Sequence, residues 1–498
     1  MAEDKELGYE RLGAPKLSLV DVVAQSVGFM GPVFSAAFLI PLIVGINFAG
    51  KGAGAAAPLS VLIGVVGVFA LGWIIAQYAK RIHAAGSMYD YVSNGLGSTI
   101  GAASGWLYYG GTMMLDAGLG LLIGGFIHDN IFTADPAAPG VFSSSSPLPA
   151  WGWSVLIAAL LFGVLFFGVR ISTKVQLALA LVSMAVVLIF FISVIAQVGS
   201  DNSLKAFNPS SSPNGMSGVL FGVLFAVLLF VGFETAANLA EETAEPKRNI
   251  PRAILISVVA AGIFYVIAAY AQVAGFGFDV GKIAENAAAP LFTLGLPKDA
   301  GGYGSTAILK VLLIVVLLDM LAVYIGAAVA SSRGVFSMAR DRRLPSVFAR
   351  VSERYGTPSG AIIFVILVNL AFVALDQLAD NVFALPPYPH YYALFSWAST
   401  FGSFALSMVY LLLAVGALVG LRDHPKYVWV VIAAIVSGAT MIGAMVFAIY
   451  HVPSPIVLAP YYAIAWGLIG LVVMFFVKGR PPAAETLADL RGGAVVGG

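Results

Sequence analysis

Apolar stretches long enough to cross a bilayer recur along the whole 498-residue chain. About 20 apolar residues let a helix span a hydrocarbon core of roughly 30 Å. With 60% hydrophobic and 10% charged residues, the chain leaves no room for a sizeable soluble domain. The sequence therefore predicts an all-α polytopic membrane protein with twelve transmembrane helices. The predicted spans are 18–45, 57–79, 99–128, 151–168, 172–198, 217–240, 252–276, 306–333, 359–376, 391–420, 427–450 and 456–477.

The basic residues predict which side of the membrane each loop faces. An even number of spans places both termini on one side, and all but five of the 26 Lys and Arg residues fall on that side. Short loops rich in Lys and Arg face the cytoplasm. We therefore expect an integral protein of the cytoplasmic (inner or plasma) membrane with both termini cytoplasmic. The five exceptions are Lys51, Lys205, Lys282, Lys298 and Lys310.

Composition argues against several classes of function. The chain contains no cysteine, which removes disulfides, thiolate catalysis and cysteine metal sites. Its five histidines lie in loops or at span ends, without the spacing of a metal-binding pair. A net charge of +1, with basic residues scattered among short loops, gives no reason to expect a nucleic-acid partner. We therefore expect no catalytic residues, no enzyme activity and no cofactor beyond a coupling ion, with membrane lipid as the surroundings.

A proline and two glycines interrupt the first predicted span. The segment Gln25–Pro32 reads Q-S-V-G-F-M-G-P in the middle of an apolar run. Pro32 cannot donate a helix hydrogen bond and crowds the preceding turn, while Gly28 and Gly31 tolerate non-helical torsions. We expect the helix to break here, although a simple kink against neighbouring helices fits the same residues.

A matching interruption lies five spans later, in the sixth predicted span. Gly232 and the carboxylate of Glu234 fall near the middle of this apolar helix. Ionisable side chains inside a membrane usually face a cavity or a partner, and a glycine at that depth lets the helix break and turn backbone groups toward the cavity. Paired broken helices in the two halves of a chain indicate an inverted repeat with a binding site near mid-membrane.

Four motifs together resemble the amino acid-polyamine-organocation (APC) superfamily permeases. They follow the order found in that family, from residue 18 to about residue 360. The most specific begins at Gly232 and reads G-F-E-T-A-A-N-L-A-E-E-T-A-E-P-K-R-N-I-P-R-A-I. The other three are the broken helix Ser26–Pro32, A-A-G-S-M-Y-D-Y-V-S-N-G-L-G at Ala84–Gly97, and S-S-R-G-V-F-S-M-A-R-D-R-R-L-P at Ser331–Pro345.

The resemblance implies a LeuT-like fold, in which two inverted repeats of five helices carry discontinuous helices 1 and 6. It implies a ten-helix transport core at 18–420, two additional transmembrane helices at 421–477, and cytoplasmic tails at 1–17 and 478–498. It also implies a permease, which moves amino acids or related amines as a secondary active transporter by alternating access. A transporter-like nutrient sensor would keep the same fold and site, whereas an ion channel would need a repeated filter segment.

In such a transporter the two breaks would supply the main-chain groups that bind a small polar substrate. Amide groups freed at Gly28, Met30 and Gly31, beside Ser26, would receive a carboxylate, helped by the dipole of the second half-helix. Carbonyl groups of Leu228, Phe230 and Val231 at the other break would receive an ammonium group. The ring of Phe233 would form a wall or gate over the substrate. The residues of that break are Leu228, Phe230, Val231, Gly232, Phe233 and Glu234.

Three acids lie well away from the ends of the predicted spans. Asp116 falls where members of the family place a substrate-facing side chain, so we expect it to attract a cationic amino acid or polyamine, or to carry a proton. Contacts inside the bundle are the alternative. We expect Glu234 to stabilise the broken helix as much as it serves transport. Asp319 lies toward the predicted outer end of span eight, where pairing with Lys310 or with vestibule water is expected.

The sequence leaves the coupling ion open. Carbonyl and hydroxyl oxygens of spans one and eight would form an all-oxygen site suited to sodium. Where many relatives carry a lysine in span five, this chain has the neutral Ser183. Sodium symport, proton symport and antiport by obligate exchange are three alternatives. The residues of the sodium site would be Ser26, Phe29, Ala328, Ser331 and Ser332.

Charged residues on the predicted cytoplasmic side suggest a gate. Glu241, Glu242 or Asp21 would pair with an arginine among residues 333–343 when an inner gate shuts. Plain anchoring by positive charge at the cytoplasmic face is the alternative for these arginines. Nothing in the sequence indicates an oligomeric state.

Overall fold

The structure is a computed structural model that describes residues 17–45, 52–82, 84–133, 140–167, 169–285, 290–379, 383–384, 389–449, 454–477 and 479. This part of the chain is mainly helical, and its extended pairings are isolated bridges. The α-helices are α1 (Leu19–Met30), α2 (Pro32–Phe38), α3 (Ile40–Val44), α4 (Ala57–Ala79), α5 (Met88–Leu96), α6 (Ser98–Phe126), α7 (Ala150–Phe166), α8 (Val169–Val198), α9 (Gly215–Leu228), α10 (Pro246–Gly275), α11 (Val280–Glu285), α12 (Pro290–Gly295), α13 (Thr306–Arg340), α14 (Ser359–Leu378), α15 (His390–Gly420), α16 (Tyr427–Ile449) and α17 (Leu458–Phe476).

Ten helical segments of the described residues are long and apolar enough to cross a membrane, with α1 and α2 together forming one of them. Two further helices, α7 and α9, are apolar but shorter, with 17 and 14 residues. Large apolar side chains such as Leu160, Ile189 and Ile435 are exposed on the outside of the bundle. Helices can present such a surface to lipid because they satisfy their own backbone groups. The all-helical architecture is confirmed, while the count of twelve spans and the inverted repeat stay predictions.

The first predicted span is broken at the glycine and proline that the sequence indicated. α1 ends at Met30, Gly31 has a φ of +55°, and α2 begins at Pro32. Proline is favoured at the first helical position, where its missing N–H costs no hydrogen bond. Glycine adopts the left-handed torsion without steric cost. A Cβ added at Gly31 would also lie 2.1 Å from Val323 Cγ2, so the close approach of α13 requires glycine as well.

The sixth predicted span is interrupted too. α9 ends at Leu228, a run of turns follows, and a 3₁₀ segment occupies Thr235–Glu242. Gly232 lies within the turns with a φ of +105°, and an added Cβ would lie 2.6 Å from Phe29 Cγ. The interruption that the sequence predicted near Gly232 is therefore present, and a ring from the first break fills the space beside it.

Several helix boundaries differ from the predicted ones. The seventh span was predicted from residue 252, but α10 begins at Pro246, where a proline suits the first turn. α13 continues to Arg340, beyond the predicted end at 333. Apolar runs mark only the lipid-crossing part of a helix, so polar extensions and the short loop helices α5, α11 and α12 were missed. The predicted tails 1–17 and 478–498 lie outside the described residues apart from Leu17 and Gly479.

Packing brings the two broken segments into the middle of the bundle. α6 is buried along most of its length and packs against α13 and α15. α1 packs against α8, α10 and α13, and the 3₁₀ segment Thr235–Glu242 contacts α1, α10 and α13. The two breaks therefore touch each other and share α10 and α13 as neighbours.

Replacing Gly31 by alanine should destabilise the protein, because the new Cβ would clash with Val323 and the residue would be held in a left-handed torsion. Strain of that kind costs about 1–3 kcal/mol before the clash is counted. Gly443 in α16 is the matched control, since a Cβ added there meets nothing within 4 Å. Thermal unfolding of the full chain in detergent should show a lower Tm for Gly31→Ala than for Gly443→Ala. Equal Tm values would contradict the role assigned to Gly31.

Candidate functional site

The two breaks make direct contact in the interior of the bundle. Ser26 of α1 accepts a hydrogen bond on its Oγ from the Ala236 N–H of the 3₁₀ segment, at 3.1 Å. The ring of Phe29 packs on Gly232 in the opposite break. Ser26 and Phe29 are both buried. The residues that the sequence singled out at each break are thus brought together.

The amide groups expected to be free at the first break form hydrogen bonds within the helix. Gly28 and Met30 lie inside α1, and the Gly31 N–H donates to the Val27 carbonyl at 3.2 Å. The side chain of Gln176 also packs against Gly28, where an added Cβ would lie 2.2 Å from Gln176 Cγ, so no space for a ligand remains on that side. Met30 contributes to a cavity wall, but the amide groups released by the break belong to later residues.

The released amides are those of Val33 and Phe34 in α2, and both bind the same carboxylate. They donate to Asp319 Oδ2 at 2.9 and 2.8 Å. Asp319 is fully buried, and its Oδ1 has no hydrogen-bond partner among the described residues. The expected pairing of Asp319 with Lys310 is not found among the described residues. Asp319 instead lies beside Gly31, because α13 packs against the first break.

At the second break, the structure gives most of the predicted carbonyl groups a partner from the chain itself. The Leu228 carbonyl accepts from the Val231 N–H at 3.2 Å, and the Phe230 carbonyl accepts from the Phe233 N–H at 3.0 Å. The Val231 carbonyl has no hydrogen-bond partner among the described residues. Val231 and Leu228 both contribute to the cavity wall. Of the predicted carbonyls, that of Val231 is the one left open to a ligand.

Glu234 and Phe233 lie behind the second break. Glu234 is fully buried, and its carboxylate accepts a hydrogen bond from Tyr108 Oη of α6. The Phe233 ring is also buried and its centroid lies 6.0 Å from that of Tyr410 in α15. Both side chains therefore tie the broken segment to the central helices, and other residues of this segment line the cavity.

Asp116 of α6 points toward α13 and α14. Its Oδ2 accepts a hydrogen bond from Asn369 Nδ2 at 2.8 Å, and Asn369 Oδ1 accepts from Tyr324 Oη at 2.7 Å. Asp116 is fully buried, and its Oδ1 has no partner within the described part of the chain. Its neighbours Leu115 and Leu119 line the cavity. The acid is therefore close to the cavity but held in a polar chain between helices.

The two hydroxyl groups expected to form part of a sodium site have protein partners. Ser331 Oγ donates to Thr112 Oγ1 at 3.0 Å, and Ser332 Oγ donates to the Val329 carbonyl at 3.1 Å. Arg333 Nη1 also donates to Ser332 Oγ, at 3.3 Å. A guanidinium at that distance repels a second cation, and little solvent is present to screen it. The other residues of the predicted site, all buried, are Ser26, Phe29 and Ala328.

A cavity of about 390 Å³ lies beside the two breaks. Its volume and mainly apolar wall are those of a site for a small molecule. None of the described residues that line it carries a charge. Aromatic rings form much of the wall, and they belong to Phe29, Phe34, Phe38, Phe225, Tyr392, Phe395 and Phe404.

One face of α15 lines this cavity with hydroxyl groups, which the sequence reasoning missed. The spacing of three and four residues places them along one side of the helix. The hydroxyls of Ser396 and Thr400 donate to carbonyls of their own helix at 2.9 and 2.8 Å, so their oxygens can still accept from a ligand. The signal in the sequence is a row of small polar residues inside an apolar span. The row consists of Ser396, Ser399, Thr400, Ser403 and Ser407.

Two ion pairs join neighbouring segments on the predicted cytoplasmic side of the bundle. Arg333 Nε donates to Glu242 Oε2 at 3.1 Å, with both side chains buried. Arg340 donates to both oxygens of Glu241 at 2.9 and 2.8 Å, and the Ala85 N–H donates to Glu241 as well, at 3.0 Å. The predicted pairing of these acids with arginines of span eight is therefore confirmed.

The start of α1 is attached to the same closure. The Leu17 N–H donates to the Glu242 carbonyl at 3.0 Å, and the Ala244 N–H donates to the Leu17 carbonyl at 2.9 Å. Asp21, the third acid considered for the gate, instead caps its own helix with Ser18. Separating the ion pairs would therefore pull on both broken segments together.

The chain is similar in sequence to known permeases and transporters. A family model described as amino acid permease matches residues 17–488. The methylthioribose transporter of Bacillus subtilis (strain 168) is 24% identical over 324 residues, which cover 62% of this chain and 65% of that protein. The branched-chain amino acid permease BcaP of the same organism is 24% identical with the same coverage. The vacuolar cationic amino acid transporter 4 of Arabidopsis thaliana is 28% identical over 386 residues, covering 74% of this chain and 60% of that protein.

The matched segments span less than two thirds of the length of each of these relatives. The family model, in contrast, covers nearly the whole chain, and its match confirms the resemblance to the amino acid-polyamine-organocation permeases. Together with the ten candidate spans, the match also establishes an integral membrane protein. The chain belongs to the amino acid permease family.

Proposed function

We propose that the protein is a secondary active transporter that moves an amino acid or a related amine across the membrane by alternating access. The observation that carries the proposal is the contact between two broken helices beside a cavity of about 390 Å³. Broken helices at mid-membrane are typical of binding sites in transporters built from inverted repeats. Transport of this kind needs no catalytic residue, and the substrate is the expected small-molecule partner.

The proposal includes a twelve-helix, LeuT-like arrangement. α7 and α9 would be the two shorter spans, and the 3₁₀ segment Thr235–Glu242 would continue the path of α9 through the membrane. The transport core would occupy 18–420 and the two additional helices 421–477. The excess of Lys and Arg on one side supports a cytoplasmic membrane location with both termini cytoplasmic.

The arrangement is compatible with a state closed toward the cytoplasm. The ion pairs Glu242–Arg333 and Glu241–Arg340 lie on the predicted cytoplasmic side. The cavity wall includes Phe38 of α2, Tyr392 of α15 and Ala448 of α16, which belong to the predicted outer halves of their helices. Alternating access would then require the ion pairs to separate while the outer side of the cavity closes.

Family membership does not decide the substrate. The names of the relatives refer to methylthioribose, branched-chain amino acids and cationic amino acids. The proposal therefore covers amino acids and amines, with cationic amino acids and polyamines among them because of the acids inside the spans. For coupling we favour a proton over sodium, since Asp116 has one oxygen without a partner among the described residues whereas Ser332 is next to a guanidinium.

A transport assay tests the proposal directly. Amino acids and amines are first screened by thermal shift on the purified full chain, because a ligand at about 100 times its Kd stabilises the folded state by about 2.7 kcal/mol. Any ligand that raises Tm should be taken up by proteoliposomes, and excess unlabelled ligand should suppress that uptake. A ligand that binds but is never transported would favour a sensor instead.

Loss of the Glu241–Arg340 pair should open the cytoplasmic side. The chain has no native cysteine, so Ser337→Cys provides a single buried thiol on α13 between the two paired arginines. Adding Glu241→Gln should speed its labelling by an impermeant maleimide in inverted vesicles by about tenfold or more, because losing one partner of a buried pair costs about 3–5 kcal/mol. Glu245→Gln, which removes an exposed pair, is the control. Equal labelling rates would contradict the gate.

The coupling proposal predicts uptake that depends on a proton gradient and not on a sodium gradient. Asp116→Asn should remove the dependence on the proton gradient, because the amide cannot bind and release a proton. Asp423→Asn, an exposed acid paired with Arg81, should keep it. Uptake into proteoliposomes under each gradient measures the effect. Uptake driven by sodium in the wild type would overturn the proton coupling but not the transport function.

A further inference from the structure

We propose that the transported substrate is an amine without an α-carboxylate, and that the Asp319 carboxylate binds its ammonium group. This inference rests on the proposed transport function and narrows its substrate class. It follows from which atoms occupy the first break, from the charge of that region, and from the composition of the cavity wall.

The position where a substrate carboxylate would bind is filled by the protein itself. The Val33 and Phe34 amides are the donors that the break releases, and Asp319 Oδ2 takes both. These two bonds join residues 286 and 285 positions apart in the chain, so they are contacts of the tertiary fold and not of a local turn. An incoming carboxylate would have to displace Asp319 or bind elsewhere.

The hydroxyl groups at the two breaks are already engaged with the main chain. Ser35 Oγ donates to the Met30 carbonyl at 3.0 Å, and Tyr265 Oη donates to the Leu229 carbonyl at 2.6 Å. Neither hydroxyl proton is therefore available to Asp319 in this arrangement. Asp319 Oδ1 therefore has no hydrogen-bond donor among the described residues.

No basic side chain in the described part of the chain balances the charge of the Asp319 carboxylate. Its recorded partners are two neutral amides, and no Lys, Arg or His among the described residues forms an ion pair with it. A buried carboxylate without a counter-charge is costly, and in a membrane such a group is usually paired or part of a substrate path. A substrate ammonium at Oδ1 supplies both the charge and the missing hydrogen bond.

The carboxylate lies directly behind the cavity wall. Phe34, whose amide binds Asp319, lines the cavity, and so does Val323, one turn further along α13. Ser35 lines it too. In the proposed bound state, the Phe34 or Val323 side chain would rotate so that a ligand in the cavity reaches Oδ1. The rest of the ligand would then contact the aromatic wall.

The wall of the cavity argues against a second charge on the substrate. An amino acid would place its own carboxylate beside Asp319, where like charges repel and no free amide or basic side chain of the described lining residues offsets them. A polyamine would carry a second ammonium into a wall of uncharged residues, and the other acid near the cavity, Asp116, is held in the polar chain with Asn369. A monoamine with an apolar or aromatic body matches Asp319 and the row of phenylalanines. Hydroxyl groups on its body would find the serines of α15.

Matched pairs of ligands test the inference on the wild-type full chain. Each amino acid is compared with the amine that differs from it only by the α-carboxylate: phenylalanine with phenethylamine, leucine with isoamylamine, lysine with cadaverine and arginine with agmatine. Binding is measured by thermal shift and transport by uptake into proteoliposomes. The monoamines of the first two pairs should bind more tightly than their amino acids by about 30-fold or more, as expected for a buried charge pair against its loss. Cadaverine and agmatine should bind more weakly than either monoamine.

Two variants test whether Asp319 causes the preference for amines over amino acids. Asp319→Asn keeps an oxygen that can accept from Val33 and Phe34 but loses the charge, so monoamine affinity should fall by about 30-fold or more. Asp319→Ala vacates both amides, so binding of phenylalanine or 3-phenylpropionate should appear. The matched control is Asp376→Asn, which changes a mostly buried acid near the C-terminal end of α14 that pairs with His390. This variant should keep the preference for monoamines over amino acids.

The outcomes separate this inference from the proposed function. Tight, transported phenylalanine or leucine in the wild type, with affinity unchanged in Asp319→Asn, would overturn the inference and leave amino acid transport standing. Amine affinity that is equal in wild type and Asp319→Asn would overturn the role of Asp319. If no ligand of either series binds or is transported, the proposed function itself fails. A variant that does not fold leaves the wild-type comparison of matched pairs to decide.

Discussion

The two breaks are governed by the need to satisfy main-chain groups away from water. An unpaired backbone group inside a membrane costs several kcal/mol, so an interrupted helix persists only where partners are at hand. Here they come from distant side chains. Asp319 accepts hydrogen bonds from the Val33 and Phe34 amides, and Ser26 accepts one from an amide of the opposite break. Tyr265 donates a hydrogen bond to the Leu229 carbonyl. The surrounding helices therefore supply the hydrogen-bond partners that allow both helices to break.

This dependence links the cavity to the closure on the predicted cytoplasmic side. Gly232 at the break and Glu241 and Glu242 at the ion pairs lie close together in sequence, separated mainly by the 3₁₀ segment. A 3₁₀ stretch has poorer hydrogen-bond geometry than an α-helix and often marks a hinge. In the proposed transport cycle, movement at the ion pairs would therefore reach Gly232 through a short segment, without a long chain of intermediate contacts. The candidate site and the proposed gate would then be two ends of one element.

Local features of the sequence were sufficient to place the breaks, but not to assign their partners. Gly31, Pro32 and Gly232 act through torsions that each residue carries by itself, and those positions were predicted. The bonds to Asp319 depend on how α13 packs against α2, which no local pattern records. The serine row on α15 was missed because serine is common in membrane helices and bonds to its own backbone there. The inverted repeat stays a prediction for a similar reason, since helix breakers locate it without any matching sequence.

The charges at the closure explain how a tight seal can still be opened. A buried ion pair loses much of its Coulomb attraction to the cost of removing both ions from water. When Glu242 and Arg333 separate into an opening that admits water, their hydration returns and offsets the lost attraction. Packed apolar side chains at the same place would gain nothing from water on opening. Ion pairs at the proposed gate would therefore cost less to separate than packed apolar side chains, and a small free-energy difference between closed and open states is what lets binding of a ligand shift the population between them.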